Sequence, residues 1–402
     1  MNIIFLTLAR IQNIEERGIY SDLMRKYRDE GHQVYIVCPV ERRLGLGDSI
    51  VETNGVKILN VKTLNIKKTN VLEKGLATLL IERQYIKAIK KYLHGVGFDI
   101  ITYSTPPITF TNVVKYLKKK NSNAISYLQL KDIFPQNAVD IQMFSKDSFL
   151  YKFFREKEKA LYKVSDYIGC MSPANVEFVL KHNPEISPER VEVAPNSIEL
   201  RISTVDTNKD AIRTKCGLPV DKPVFIYGGN LGKPQGIPYL IECLDANANR
   251  DDVHFLVIGT GTELPKLEEW YSAKQPKNVA LMKGLPKAEY DQLVRACDVG
   301  LIFLDHRFTI PNYPSRLLSY LENKMPVLCA TDVNTDMGRI AEENGYGYWC
   351  ESVKPEDFTA LVDKMLASDR NAMGERGYEF LIKNYLVEHT YNAIMAHCKE
   401  NK

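Results

Sequence analysis

Several loops of this 402-residue chain carry side chains that could hold an anion or steer a reacting group. The first is GGNLGKPQG (228–236), between the strand-like run PVFIY and the helical segment IPYLIECL. Gly228, Gly229 and Gly232 would let backbone N–H groups approach a ligand closely. The helix start behind them favours negative charge, and Lys233 adds a full positive one. A tight glycine turn with a solvated lysine fits the same residues. The segment lacks the G-K-[ST] ending of a Walker loop and does not spell G-x-G-x-x-G.

The most informative stretch is DHRFTIPNYPSRLLSYLENKMPV (305–327), which follows the run DVGLIFL. Pro314 and Ser315 mark a helix start. Arg316 on the first turn presents a planar fork suited to phosphate oxygens. A diphosphate held between the Gly228–Lys233 loop and the Ser315–Arg316 helix start is the chemistry expected. A capped helix with a surface arginine is the plainer alternative. LKDIFPQNAVD (130–140) puts Asp132 at a strand end, where it could orient a sugar hydroxyl or stabilise developing positive charge; a turn aspartate would look the same. GTGTE (259–263) offers only a lone G-x-G, equally a strand-to-helix turn. The loop after the first strand carries Arg17 and Gly18 and leads into a helix at about Ile19.

The elements that must position these loops alternate between apolar runs and helical patterns. In the first half the runs are 2–8, 32–38, 56–61, 99–104, 124–130, 166–172 and 191–195, with helical patterns at 20–31 and 76–93. The pattern restarts with runs at 223–229, 254–261, 278–284, 298–304, 326–332 and 346–351, and ends in a helical stretch over 370–402. The polar, aperiodic segment 195–211 reads as the linker. Such alternation predicts two doubly wound α/β sheets, with ligands outside the carboxyl ends of the strands.

Apolar residues make up 45% and charged residues 26%, as in an ordinary globular protein. No apolar run approaches the ~18 residues that span a bilayer. The eight cysteines form no C-x-x-C pair or zinc spacing, so buried reduced thiols are expected. Residues 1–200 hold 29 Lys and Arg against 22 Asp and Glu; the rest of the chain holds 24 against 28. The basic half suits a phospholipid surface or a diphosphate-bearing substrate, or is solvated charge alone; the excess is too small, and no module is present, for nucleic acid.

Taken in order and spacing, RGIYSDLMRKYRDEGHQVYIVC, DIITYSTPP, LKDIFPQNAVD, VEVAPNS, GGNLGKPQG, GTGTE-LPKLE and YPSRLLSYLENKMPV resemble the GT-B glycosyltransferases of glycosyltransferase family 4. The branch most similar builds bacterial capsule, O-antigen and exopolysaccharide units. The resemblance spans about residues 1–390. It implies two Rossmann-like doubly wound domains facing a central cleft: an acceptor-side domain over 1–200, a nucleotide-sugar-binding domain over 201–375, and a C-terminal helix over 376–402 packing back on the first. It also implies a retaining transfer from a nucleotide-diphosphate sugar, a UDP-sugar by family habit, to a polyprenyl-diphosphate-linked glycan. No metal or other cofactor is implied. The expected location is the cytoplasm, peripherally on the inner membrane through KYLKKK (115–120) and RQYIKAIKKYL (83–93).

By the same resemblance Gly229, Lys233, Ser315 and Arg316 would hold the donor diphosphate. Gly261, Glu263 and the backbone near Leu285 would border the nucleoside, and Asp132 would lie near the transferred sugar. Gly18 is expected on the ligand side of the first loop. The family's Arg after the strand and Lys five residues on are here Asn230 and Gln235. Its two glutamates, with seven residues between them, fall on Pro311 and Ser319, so a hydroxyl stands where a carboxylate ordinarily grips the ribose. These departures leave two alternatives: a GT-B nucleotide-sugar 2-epimerase, and a catalytically silent sugar-nucleotide-binding partner subunit.

Overall fold

The computed structural model describes residues 1–66, 71–200 and 208–400. The chain divides into two compact units, one of Met1–Glu199 with Leu386–Lys402, the other of Leu200–Tyr385.

The first unit runs β1 (Asn2–Leu6), α1 (Ile19–Asp29), β2 (Gln33–Glu41), β3 (Ser49–Thr53), β4 (Val56–Thr63), α2 (Val71–Tyr92), β5 (Ile100–Ser104), α3 (Thr111–Lys120), β6 (Ile125–Leu130), α4 (Gln136–Asp140), α5 (Phe149–Val164), β7 (Tyr167–Cys170), α6 (Pro173–His182) and β8 (Val191–Val193). Its sheet has the order β3-β4-β2-β1-β5-β6-β7-β8, parallel throughout except for the β3–β4 hairpin. β1, β5 and β6 are buried almost without alternation, as strands covered on both faces must be. Each predicted apolar run is a strand. β3 was not predicted: it is an exposed edge strand, with Ile50 and Val51 in solvent, so it lacks the buried periodicity that marks the others.

The second unit runs α7 (Lys209–Lys215), β9 (Val224–Asn230), α8 (Ile237–Ala246), β10 (His254–Thr260), α9 (Leu264–Lys274), β11 (Val279–Lys283), α10 (Lys287–Arg295), β12 (Val299–Phe303), α11 (Arg316–Glu322), β13 (Val327–Thr331), α12 (Met337–Glu343), β14 (Gly347–Glu351), α13 (Pro355–Leu366) and α14 (Arg370–Asn384). Its six strands, all parallel, lie in the order β11-β10-β9-β12-β13-β14. The strand order reverses between β9 and β12, which is where a doubly wound sheet opens to a ligand.

The helical stretch over 370–402 is two helices: α14 packs against α11, whereas α15 (Val387–Glu400) packs against α1. The His397 ring stacks on Tyr167 with centroids 3.5 Å apart and meets Glu192 at 3.0 Å. Of the predicted linker, residues 201–207 lie outside the described residues. Its two ends are held rather than loose. Glu199 binds Arg25, Ser197 binds Thr390, and Asn208 caps α7 by accepting the Ala211 N–H. Polarity there reflects partnered side chains, which a lack of periodicity cannot reveal. All eight cysteines are free, and seven are buried. No described helix is long and apolar enough to cross a membrane.

Candidate active site

The turn after β9 is shaped by its neighbours. A methyl group on Gly228 would meet the Tyr290 hydroxyl at 2.0 Å, so a side chain there is excluded by α10. Gly229 sits at φ +124°, where other residues are strained. The β10 turn is pressed onto this one: Leu231 N–H donates to Thr260 and Glu263 N–H donates to Leu231. A Cβ on Gly261 would lie 2.2 Å from the Leu231 carbonyl oxygen. The Tyr290 side chain therefore crowds Gly228, and the Leu231 backbone crowds Gly261.

Beyond Gly229 the loop closes on itself. Asn230 Nδ2 donates to Gln235 Oε1 at 2.9 Å, and Gly232 N–H donates to the same oxygen at 3.2 Å. The two residues that stand where cations were expected thus bind each other. Lys233 projects into solvent from the single turn 233–235 and has no ion pair among the described residues. The Asp305 N–H donates to Pro234 at 3.1 Å, docking this loop on the one that follows β12.

That second loop is tied down along its length. Asp305 accepts from the Arg307 backbone, Nε and Nη2. Asn334 Nδ2 donates to Phe308, Asn312 N–H donates to Thr335 Oγ1, and the Tyr313 and Tyr385 hydroxyls share a hydrogen bond. It ends at Ser315, which takes the N-cap position of α11 without making a side-chain cap, leaving its hydroxyl exposed.

Arg316 then turns back toward the β9 loop. Its guanidinium lies over the Tyr227 ring at 4.4 Å, and its Nη2 would be 3.5 Å from a Cβ on Gly229. Tyr320, one turn on, anchors the helix: its hydroxyl donates to Ile226 and accepts from the Gly228 N–H. The guanidinium is densely surrounded by protein, although the residue keeps part of its surface accessible. Its Nη1 is buried with no hydrogen-bond partner, and no carboxylate pairs with it among the described residues. A cation held this way is costly until an anion arrives. Ser319 follows Arg316 by one helical turn and so lies on the same face.

Glu263 is buried at the start of α9 and pairs with Lys266. Leu285 lies in the loop after β11, next to Gly284, whose Cβ position faces Thr260 at 3.4 Å. Gly229, Asn230 and Lys233 thus come from the end of β9 and the turn after it, Ser315, Arg316 and Ser319 from the start of α11, and Gly261, Glu263 and Leu285 from the adjacent strand ends of the same sheet.

Asp132 and Gly18 belong to the first unit. Thr105 Oγ1 accepts the N–H groups of Lys131 and Asp132 and donates to the Asp132 carbonyl. Asn137 Nδ2 binds Asp132 Oδ1 at 2.6 Å. Burial raises the Asp132 pKa to about 6, against the pull of Asn137 and the Ile133 N–H. Burial also lowers the Lys131 pKa to about 7. Asp132 is therefore a recessed carboxylate held by Asn137. Gly18 donates its N–H to Asp22 Oδ1 at 3.0 Å. Asp22 also binds Arg25 and the Glu199 N–H, so Gly18 belongs to a buried network that holds Glu199.

Sequence reasoning missed Tyr227, Tyr290 and Tyr320 around Arg316, and Thr105 as the anchor of the Asp132 backbone. Only Tyr320 carried a local signal, its i+4 spacing from Arg316. Among the described residues no group of three or more His, Cys, Asp or Glu side chains is arranged to hold a metal ion.

Residues 208–380 match the family model described as glycosyl transferases group 1. The chain is similar to the protein named "Probable glycosyltransferase WbjE" of Pseudomonas aeruginosa, 23% identical over 318 residues, covering 78% of this chain and 77% of that one. Among solved structures it resembles "Trehalose-6-phosphate from E. coli bound with UDP-2-fluoro glucose", with a TM-score of 0.76, 12% identity and 98% of each chain covered. It also resembles HepE of Anabaena in complex with UDP and glucose, with a TM-score of 0.69, 15% identity and full coverage of both. The two Rossmann-like sheets are those of the GT-B fold.

Proposed function

We propose that this chain, a GT-B glycosyltransferase related to the group 1 glycosyl transferases, takes a sugar from a nucleoside diphosphate donor, uridine diphosphate being the carrier, and passes it with retention to a hydroxyl of a polyprenyl-diphosphate-linked glycan in bacterial surface polysaccharide synthesis. The observation that carries the donor half is Arg316, a recessed guanidinium with an unpartnered Nη1 beside the positive-φ Gly229. The UDP-bearing structures of similar fold support the carrier. The acceptor and the pathway rest on the resemblance of the loops.

In this reading Arg316 and Lys233 take up the charge of the departing diphosphate, with Ser315 donating a hydrogen bond. The bond between the anomeric carbon and the phosphate oxygen breaks, and the sugar becomes oxocarbenium-like. The acceptor oxygen bonds to that carbon from the leaving-group side, and its proton passes to the β-phosphate. Stabilising the leaving group is then the main source of rate acceleration. Asp132 stands near the transferred sugar. Gly261, Glu263 and the Leu285 backbone border the nucleoside, and Ser319 hydrogen-bonds a ribose hydroxyl.

The exposed cations of α2 and α3, among them Arg83, Lys87, Lys90, Lys119 and Lys120, face an anionic inner leaflet on the cytoplasmic side. Each contributes about 1 kcal/mol when near the surface. The Asn230–Gln235 pair and Ser319 favour a second reading, a subunit that binds the donor without turning it over.

Thermal melting of the purified chain with nucleoside mono- and diphosphates tests the donor site. A bound diphosphate at 100 times its Kd adds about 2.7 kcal/mol. UDP should raise the Tm, and Arg316→Ala should abolish the rise. No response to any nucleoside diphosphate would remove the reading. Transfer of labelled sugar to lipid-linked glycan by the same sample separates the enzyme from the silent subunit.

A further inference from the structure

The α5 end of the first unit presents apolar side chains where a protein in water ordinarily hides them. Phe149 is 82% exposed, Met143 61% and Leu150 44%, all within eight residues. Scattered exposed leucines are normal, but a cluster of large ones marks a contact. The cluster is built rather than frayed. Ser148 caps α5 by accepting the Tyr151 N–H at 3.1 Å. Phe149 stacks on Phe153 with centroids 6.3 Å apart and an interplanar angle of 27°. Phe153 meets Phe154, which meets Phe134, at 5.3 and 5.0 Å. A row of rings thus runs from the exposed tip to the half-buried Phe134.

The surroundings say what covers this tip. Lys146 and Lys152 are exposed on either side of Phe149, and Lys157 sits 5.5 Å from the Phe153 ring. Asp147 and Glu156 are the acidic residues nearby; Glu158 is buried against Arg155. α5 packs against α3, and α3 against α2, the two helices that carry the basic stripes. Right-handed crossovers put all three on one face of the sheet. Apolar tips ringed by lysine suit the boundary between anionic headgroups and acyl chains. A protein partner with an apolar socket would not need the basic surround.

We propose that Met143, Phe149 and Leu150 form a hydrophobic wedge that inserts into an anionic lipid leaflet, with Lys146 and Lys152 at headgroup level. The inference deepens the peripheral attachment proposed above, and does not depend on the transfer reaction. It adds what basic stripes alone would lack, a component of binding that survives salt. Coulombic attachment fades as the Debye length falls to about 3 Å at 1 M, whereas apolar insertion does not.

The test uses the full chain, without donor, and vesicles of phosphatidylglycerol with phosphatidylcholine. The wild-type protein should retain measurable co-sedimentation in 0.5 M salt. Phe149→Ala with Leu150→Ser should weaken low-salt binding by about tenfold or more and remove the salt-resistant part. Because both side chains are exposed, melting of this variant should match the wild type. Phe149→Trp supplies a direct reading: its emission should shift to the blue on vesicles and be quenched by brominated acyl chains. Unshifted, unquenched emission from vesicle-bound Phe149→Trp protein would overturn the wedge and leave charge alone. So would a wild-type dimer that the double variant dissolves, which would make the tip an interface between copies. Failure of the donor-binding assay leaves all of these outcomes unaffected.

Discussion

Thr335 Oγ1 accepts the Asn312 N–H at 3.0 Å while donating to Asp332 Oδ2 at 2.9 Å, so the loop that ends in Arg316 hangs from a carboxylate on the next strand end. Asp332 is fully buried and also accepts the N–H groups of Asn334 and Thr335. Thr335→Val keeps the shape but removes both bonds, which should cost about 1–3 kcal/mol in denaturant titrations. It should also weaken nucleoside diphosphate binding, since Asn312 precedes Arg316 by four residues. Thr335→Ser should restore both. Normal donor affinity in a destabilised Thr335→Val would separate this clamp from the site.

Arg316 should show opposite signs in stability and in function. Removing an unpaired, enclosed charge is commonly neutral or favourable to the fold. Arg316→Met should therefore melt at the wild-type temperature or above without ligand, yet lose the stabilisation that UDP gives. Its kcat/KM should fall by about 10²-fold or more if the guanidinium meets the leaving group. A Met variant that melts much lower and still responds to UDP would make Arg316 a structural residue.

The Asp132 carboxyl has a pKa of about 6 in the fold, above its ordinary value, because burial disfavours its charge. The folded state thus binds this proton more tightly than the unfolded chain. Its contribution is fully present below about pH 4 and is lost as the pH rises through 6. Asp132→Asn should be more stable than the wild type at pH 7–8, by ~3 kcal/mol at most, and the difference should vanish at pH 4. If the ionised carboxylate serves the transferred sugar, wild-type turnover should fall below pH 6. A pH-independent stability difference between the two proteins would contradict the assignment.

Gly228 and Tyr290 make a packing pair that a mutant cycle can weigh. Gly228→Ala drives a methyl group into the Tyr290 hydroxyl and should cost about 1–3 kcal/mol. Combining it with Tyr290→Ala, which clears the space, should cost less than the sum of the two. Additive losses would place the strain elsewhere.

Much of this protein is written locally. Strands such as Ile100–Ser104 announce themselves because a sheet covered on both faces needs unbroken apolar runs, and the single restart of that pattern marks two sheets. The loops of interest could be found for the same reason: they follow strands, so GGNLGKPQG and YPSR were legible by position. What the pattern could not carry is anything set by a distant neighbour. β3 was silent because its side chains face water. The last helical stretch read as one because the break at Tyr385–Leu386 separates helices that pack on different partners, α11 and α1. That Tyr290 and Leu231 crowd Gly228 and Gly261 was equally invisible, since both neighbours are remote in sequence. The charge on Arg316 was legible, but that no carboxylate among the described residues meets it was not: local sequence determines which groups exist, and only the tertiary structure decides which of them are left without a partner.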